Sequence, residues 1–344
     1  MLLSTHPVIS VVVPCYNVKR VMSKCLDSLL NQSIHDLEII LVNDGSKDGT
    51  LDCMRRYALK DDRVKIVNFL QNRGPDQARF SGIINSTGDY ITFADADDWL
   101  PSNAIETLLK TAKTTGADIV EGGKIRVLGN LGLIKRISNK SRQEIETPEL
   151  FDKYFISFFG INILSVNLWG KLYRRSLFDS PGVKPSEFIM GEDLVLNMRL
   201  FPYVKKYCVI PDIVYYYRLG GMTSRYNRHL YSDLKAQYYL KMNTIAKYEY
   251  YKATNFTKSE MCHVFLSQIK QMLLYWKSKK EVKSFIQQEI DSGFIDEITK
   301  NVPYPTAQFL SNKDEEMIIN RVRKGLWKDR VKRVIYKCIS VLNL

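Results

Sequence analysis

The first 120 residues alternate short apolar runs with amphipathic stretches. Ile9–Val13 is an apolar run, interrupted only by Ser10 and closed by Pro14, the pattern of a strand buried on both faces. Residues 19–31 then place Val21, Met22, Cys25, Leu26 and Leu29 at helical spacing. Leu37–Val42 reads as a second strand, and the turn-rich NDGSKDGT after it leads into a helix over residues 50–60. The pattern continues with a strand at Val64–Phe69, a helix at 76–86, a strand at Tyr90–Ala94, a helix at Asn103–Thr115 and a strand at Ala117–Glu121. Such alternation with short connections predicts an α/β fold, a Rossmann-like and mostly parallel sheet with helices on both faces. Ligands of these sheets bind beyond the carboxyl ends of the strands. Three polar motifs fall there: PCYN after the first strand, NDGS after the second and DADD after the fourth.

Beyond residue 121 the pattern is mixed. A hairpin is expected around GGKIRVLGNLGLIKRI, helices near 148–165 and 192–201, and a strand around Cys208–Tyr217. The longest uncharged stretch, Tyr154–Gly170, contains Ser157, Asn162, Ser165 and Asn167. It falls short of the ~20 apolar residues of a spanning helix, so a buried helix is expected there and no transmembrane segment. From residue 226 the chain turns mostly helical and polar, with a break at Pro303 and Pro305. The organisation expected is a domain over 1–225, with halves 1–121 and 122–225, followed by a helical region over 226–344.

Charge sharpens this division. The chain carries a formal +13, yet residues 1–120 hold 13 Lys+Arg against 15 Asp+Glu, and the remainder 37 against 22. The basic excess calls for an anionic partner in the second half: lipid, nucleic acid or a phosphorylated acceptor. Six scattered cysteines without CxxC or Cys/His metal spacing fit reduced thiols in the cytoplasm. The N-terminus has no basic leader or small-residue cleavage site and reads as a strand.

Asp95, Asp97 and Asp98 crowd the end of the fourth strand. A hard divalent cation, Mn²⁺ or Mg²⁺, would make such crowding tolerable, because it takes oxygen ligands from one or two carboxylates and from substrate phosphates. Alone, the tetrad reads better as a solvated acidic turn in which Asp98 caps the next helix.

The tetrad does not stand alone. VVVPCYN, EIILVNDGSKDGT, NRGPDQAR and GDYITFADADDW, in that order and spacing, resemble glycosyltransferase family 2, the inverting GT-A-fold enzymes that use nucleotide sugars. The resemblance covers residues 8–220. It implies that Pro14, Tyr16 and Asn17 line the nucleotide pocket, with Tyr16 packing on the base, and that Asn43 and Asp44 meet base and ribose. Asn43 stands where the family often has a first aspartate. Arg79 would contact the diphosphate through its forked donors. Asp95 and Asp97 would bind the metal, flanking Ala96, with Asp98 behind them. A UDP-sugar is the expected donor.

FIMGEDLVLNMRL resembles the family's acidic ED pair. It implies Asp193 as catalytic base and Glu192 as an acceptor or helix-cap contact. Helix N-termini favour carboxylates in any case. The chemistry needs a base, since a sugar hydroxyl must lose its proton as it attacks the anomeric carbon. NLWGKLYRRSLF implies Trp169 and Lys171 near the acceptor, and VYYYRLGGMTS offers Arg218 to the diphosphate.

Residues 321–344 carry Trp327, Val331, Val334, Ile335, Cys338 and Leu342 at helical spacing beside a basic face. This describes an amphipathic helix for an anionic bilayer, and equally a docked terminal helix or one that pairs with another subunit. The leading expectation is a metal-dependent transferase at the inner membrane face. It would pass a sugar to a saccharide or lipid-linked saccharide acceptor in cell-surface polysaccharide synthesis. The alternatives are transfer to a polyprenyl phosphate and a non-catalytic nucleotide-sugar-binding subunit. No nucleic-acid-binding module is recognisable, and PCYN in place of GxGxxG excludes a dinucleotide dehydrogenase. The oligomeric state stays open.

Overall fold

The computed structural model describes residues 7–128, 133–139, 141–161, 163–219, 229–275, 277–324 and 326. They form two compact units, one from Met1–Phe155 with Ser165–Leu219, the other from Ile156–Leu164 with Gly220–Leu344.

The first unit is built on a nine-stranded sheet. Strands β1 (Ile9–Cys15), β2 (Leu37–Asp44), β3 (Val64–Phe69) and β4 (Tyr90–Phe93) are parallel, in the order β3-β2-β1-β4. Helices α1 (Met22–Leu30), α2 (Thr50–Ala58), α3 (Pro75–Ile84) and α4 (Ala104–Thr115) connect and follow them. Strand alternation sorts the core into two layers. Val11, Val13, Ile39 and Leu41 pack with Met22, Leu26, Met54, Ile105 and Leu108 of α1, α2 and α4. Ile40 and Val42 face the other way, with Ala78 of α3. Helix α3 lies so close to β1 that a Cβ on Gly82 would stand 2.3 Å from Val12 Cγ1. That closeness sets Arg79 on the same helix over the sheet.

The sheet then changes direction. β8 (Lys171–Arg174) is antiparallel to both β4 and β5 (Ile119–Val127), and β9 (Lys206–Arg218) runs parallel to β5. β7 (Gln143–Glu146) closes the edge on β9, and β6 (Leu133–Ile137) makes the expected hairpin with β5. α5 (Glu192–Leu200) carries the ED pair. The helix expected over 148–165 is not formed. Leu150–Tyr154 is a π turn and Phe155–Phe158 a 3₁₀ turn, and the chain reverses at Gly160, whose φ of 98° is closed to a continuing helix.

The second unit is helical: α6 (Leu230–Lys247), α7 (Thr254–Leu274), α8 (Lys279–Asp291), α9 (Phe294–Thr299), α10 (Pro305–Leu310) and α11 (Glu315–Arg323). Phe265, Ile269, Ile286, Ile295, Leu310 and Ile319 form its core. Ser278 and Glu281 make a reciprocal cap on α8, satisfying two otherwise open N–H groups. Among the described residues no helix is long and apolar enough to cross a membrane. Most of the basic tail, 327–344, and the Gly pair at 220–221 lie outside the described residues.

Candidate active site

The parallel strands end at one edge, and the polar motifs meet there. Tyr16 follows β1 and is 45% exposed, open to a stacking partner, beside half-buried Pro14. Asn17 adopts φ 52°, donates its N–H to Ser46 Oγ (3.0 Å) and accepts from the Lys47 N–H (2.9 Å). Its side chain therefore ties the first loop to the second. Asn43 donates to Asn68 Oδ1 (2.7 Å) and accepts from the Ser46 N–H (3.2 Å). Asp44 is buried and accepts the N–H groups of Arg73 (2.6 Å) and Gly74 (3.0 Å). Burial raises its pKa against these bonds. Both oxygens thus shape the segment that leads into α3. Gly45 permits it: φ is 67°, and a Cβ there would lie 2.5 Å from the Asn72 nitrogen.

The acidic turn is anchored by β9. The Asp98 N–H donates to the Asp95 carbonyl (3.0 Å), while the Asp95 N–H donates to the Tyr215 hydroxyl (3.0 Å). Trp99 and Tyr216 exchange main-chain bonds of 3.3 and 2.9 Å. Asp98 Oδ1 accepts the Arg218 N–H (2.7 Å), and Arg218 Nε donates to the Asp97 carbonyl (2.8 Å). Asp98 therefore braces the turn and does not cap α4, whose N-cap is Asn103. Ala96 is buried between the two outer aspartates. Arg218 arrives beside Asp97.

Arg79 gathers the acids. It is 4% exposed and puts Nη2 3.1 Å from Asp95 Oδ1, and Nη1 2.7 Å from Glu192 Oε1 and 3.0 Å from Asp193 Oδ1. Its terminal nitrogens are turned to carboxylates and not outward to a diphosphate, the contact the motif implied. Burial opposes its charge, but Asp193, Asp95 and Glu192 outweigh burial and hold its pKa above the usual value. One guanidinium does not balance three carboxylates. Burial pushes Asp95 up to about 6 and Glu192 up to about 7, with Asp193 adding to both shifts and Arg79 opposing them. Burial also raises Asp97, which among the described residues has no cationic side chain at ion-pair distance. This surplus of negative charge, all of it on oxygen donors, suits a hard divalent cation on Asp95 and Asp97. Among the described residues no group of three or more His, Cys, Asp or Glu makes a complete metal cage, so such an ion would need substrate oxygens as well.

Asp193 opens α5 and accepts the Leu168 N–H at Oδ2 (3.2 Å). The 166–168 segment is held in turn by Asn197, one helical turn on, which donates to the carbonyls of Val166 (2.8 Å) and Asp193 (3.0 Å) and accepts from the Tyr173 hydroxyl (2.9 Å). Tyr215 and Asn197 escaped the sequence reading. A polar Asn four residues after Asp193, on an apolar helix, was the available signal.

Trp169 is 9% exposed and stacks on Tyr215 (4.5 Å) and Tyr217 (5.3 Å), with the Lys124 ammonium 4.5 Å above it. Its ring is occupied by protein and is not an open platform for a sugar. Lys171 is 1% exposed, donates to the Ser165 carbonyl (2.5 Å) and lies 3.7 Å from Glu121. β8 lies inside the sheet, so this lysine is internal.

Residues 10–180 match the family model described as Glycosyl transferase family 2. An uncharacterized glycosyltransferase of Bacillus subtilis, EpsJ, is 28% identical over 313 residues, 88% of this chain and 89% of that protein. The poly(ribitol-phosphate) beta-glucosyltransferase of Bacillus spizizenii is 32% identical over 213 residues, and glycosyltransferase GlyA of Streptococcus pneumoniae 31% over 221. These two matches span 61% and 63% of this chain but only 32% and 31% of those longer proteins. Residues 1–349 of S. aureus TarS, solved with UDP-GlcNAc, superpose with a TM-score of 0.68 at 19% identity, covering 92% of each chain. That likeness is one of fold. A GT-A-type sheet with clustered carboxylates at its strand ends, together with the family model, defines the class as glycosyltransferases. This chain belongs to glycosyltransferase family 2.

Proposed function

We propose that the protein transfers a sugar, with inversion, from a UDP-sugar to a saccharide acceptor, lipid-linked in the cell, during synthesis of a surface polysaccharide. The observation that carries the reading is the Arg79 cluster, which brings Asp95 of the donor-side turn and Asp193 of the acceptor-side helix onto one guanidinium. On this reading donor and acceptor chemistry share one cleft. The TarS complex with UDP-GlcNAc and the poly(ribitol-phosphate) beta-glucosyltransferase relative support the donor and acceptor classes.

Tyr16 would stack on the base, with Asn17, Asn43 and Asp44 holding the loops around it. Asp95 and Asp97 would hold Mn²⁺ or Mg²⁺, which when bound offsets the charge that grows on the departing diphosphate. Arg218, beside Asp97, would meet the same phosphates. Asp193 takes the proton of the acceptor hydroxyl. Its Oδ2 is fixed by the Leu168 N–H, and among the described residues buried Oδ1 meets only the Arg79 ion pair. A positioned base contributes about 10²–10⁴-fold. Glu192 shares Arg79 with it and keeps the pair in place. Residues 321–344 would bring the enzyme to the anionic inner face of the membrane, where a lipid-linked acceptor resides. The test is sugar transfer from radiolabelled UDP-sugars to membrane-extracted acceptors by the wild type and by Asp193→Asn. Full activity of the variant, or no turnover by the wild type with any UDP-sugar, refutes the assignment.

A further inference from the structure

The β5–β6 hairpin carries charge that the reaction above does not use. In the β5–β9 register Lys124 lies opposite Tyr215 and Arg126 opposite Tyr217; in the β5–β6 register Arg126 lies opposite Lys135. Directly opposed residues share a face of a sheet. Lys124, Arg126 and Lys135 therefore form a row along one face, beside the aromatic stack of Tyr215, Trp169 and Tyr217. Lys124 is half-buried, and Arg126 and Lys135 are exposed.

Among the described residues none of the three has a carboxylate at ion-pair distance. Glu121, the nearest acid on the strand, is engaged by Lys171 (3.7 Å) and the Tyr207 hydroxyl (2.5 Å). Among the described residues the Lys124 ammonium meets Ser165 Oγ, at 3.4 Å, and the Trp169 ring, at 4.5 Å. Burial draws its pKa down to about 8, with the neighbouring charges of Lys171 and Arg126 adding to the shift and Glu121 opposing it. Water solvates Arg126 and Lys135, but Lys124 keeps its charge half-buried, where a visiting anion would stabilise it.

The row also adjoins the reacting centre. The Tyr215 hydroxyl accepts the Asp95 N–H (3.0 Å), and Leu168, next to Trp169, donates its N–H to Asp193 (3.2 Å). An acceptor presenting a hydroxyl to Asp193 would extend over this face. We infer that Lys124, Arg126 and Lys135 form an acceptor subsite for a phosphate group, so that the acceptor is a saccharide bearing a phosphate or diphosphate ester. A cluster of three positive charges matches a multiply charged phosphate better than a single carboxylate. The inference rests on the transferase reading for its link to an acceptor, but the anion site itself is separable from it.

The experiment is calorimetric titration of the full chain, with UDP and Mg²⁺ in excess to occupy any donor site. The probes are methyl glycosides of glucose, galactose and N-acetylglucosamine, each neutral, as the 6-phosphate and, for the two hexoses, as the 6-carboxylate. At least one 6-phosphate should bind 10-fold or more tightly than its neutral parent, with a preference that shrinks as salt rises. The preference should vanish in Lys124→Met/Arg126→Met and return in Lys124→Arg. Arg126→Gln/Lys135→Gln, confined to exposed positions, should lose most of it without risk to the fold. No preference for phosphate, an equal preference for the carboxylates, or a preference that survives both double variants overturns the subsite. If UDP fails to bind while the phosphate preference depends on Lys124, the donor reading falls and the anion site stands.

Discussion

Arg79 and Glu192 are separated by 113 residues in sequence, yet their side chains meet at 2.7 Å in the interior of the cleft. The contact joins α3, packed on the parallel strands, to α5, which bears the ED pair. Arg79 is thus a charge brace between the acidic turn after β4 and the start of α5.

Removing that brace should be costly. Arg79→Met leaves Asp95, Glu192 and Asp193 buried without a counter-ion, and loss of one partner from such a group costs about 3–5 kcal/mol. Urea denaturation should register a loss in this range. Arg79→Lys should recover only part, because an ammonium lacks the fork that reaches Asp95 and Glu192 together.

Glu192→Gln should act in the opposite direction, and only above a certain pH. The folded protein holds the Glu192 proton up to about pH 7, well above the ordinary glutamate value of 4.5. Its contribution to stability is therefore complete below 4.5 and is lost as pH rises through 7. Without metal the variant and wild type should melt together near pH 4, and by pH 8 the variant should be the more stable by roughly 1–3 kcal/mol. A variant less stable than wild type at pH 8 would mean that the Arg79 pairing outweighs burial.

Asp97→Asn should separate binding from folding. Wild-type protein should melt several degrees higher with UDP and Mn²⁺ together than with UDP and a chelator. The variant should lose that difference and keep its ligand-free melting temperature. Equal UDP stabilisation with and without chelator in the wild type would refute the metal assignment.

Gly45→Ala should loosen the nucleotide loops from a distance. An added methyl would strike the main chain at Gln71 and Asn72, within 3 Å, at a backbone angle that alanine disfavours. A destabilisation of about 1–3 kcal/mol is expected. UDP affinity should fall with it, because the Asp44 bonds to Arg73 and Gly74 depend on that close approach. Unchanged affinity in a destabilised variant would detach Asp44 from the nucleotide site.

The parallel half of the sheet was legible because β1 and β2 are buried on both faces and read as apolar runs, Ile9–Val13 and Leu37–Val42, broken only at Ser10 and Glu38. The acidic turn was legible because four residues hold three aspartates. What Arg79 touches was not: a lone arginine on α3 says nothing about helices 113 residues away. Lys171 was misjudged for a related reason. KLYR gives no sign that it forms an internal strand, and only the pairing of β8 with both β4 and β5 buries the lysine. In FISFFG, the long uncharged stretch from Tyr154 reads as a longer helix than the backbone at Gly160 allows.

The ties between the acidic turn and β9 have a consequence for inherited variation. Tyr215 lies 120 residues from Asp95, yet its hydroxyl holds the main-chain N–H of that aspartate. A lesion there, such as Tyr215→Phe, would pass for a harmless interior change and surface as poor donor capture. Surveys of natural variants that weigh only the acids themselves would overlook it.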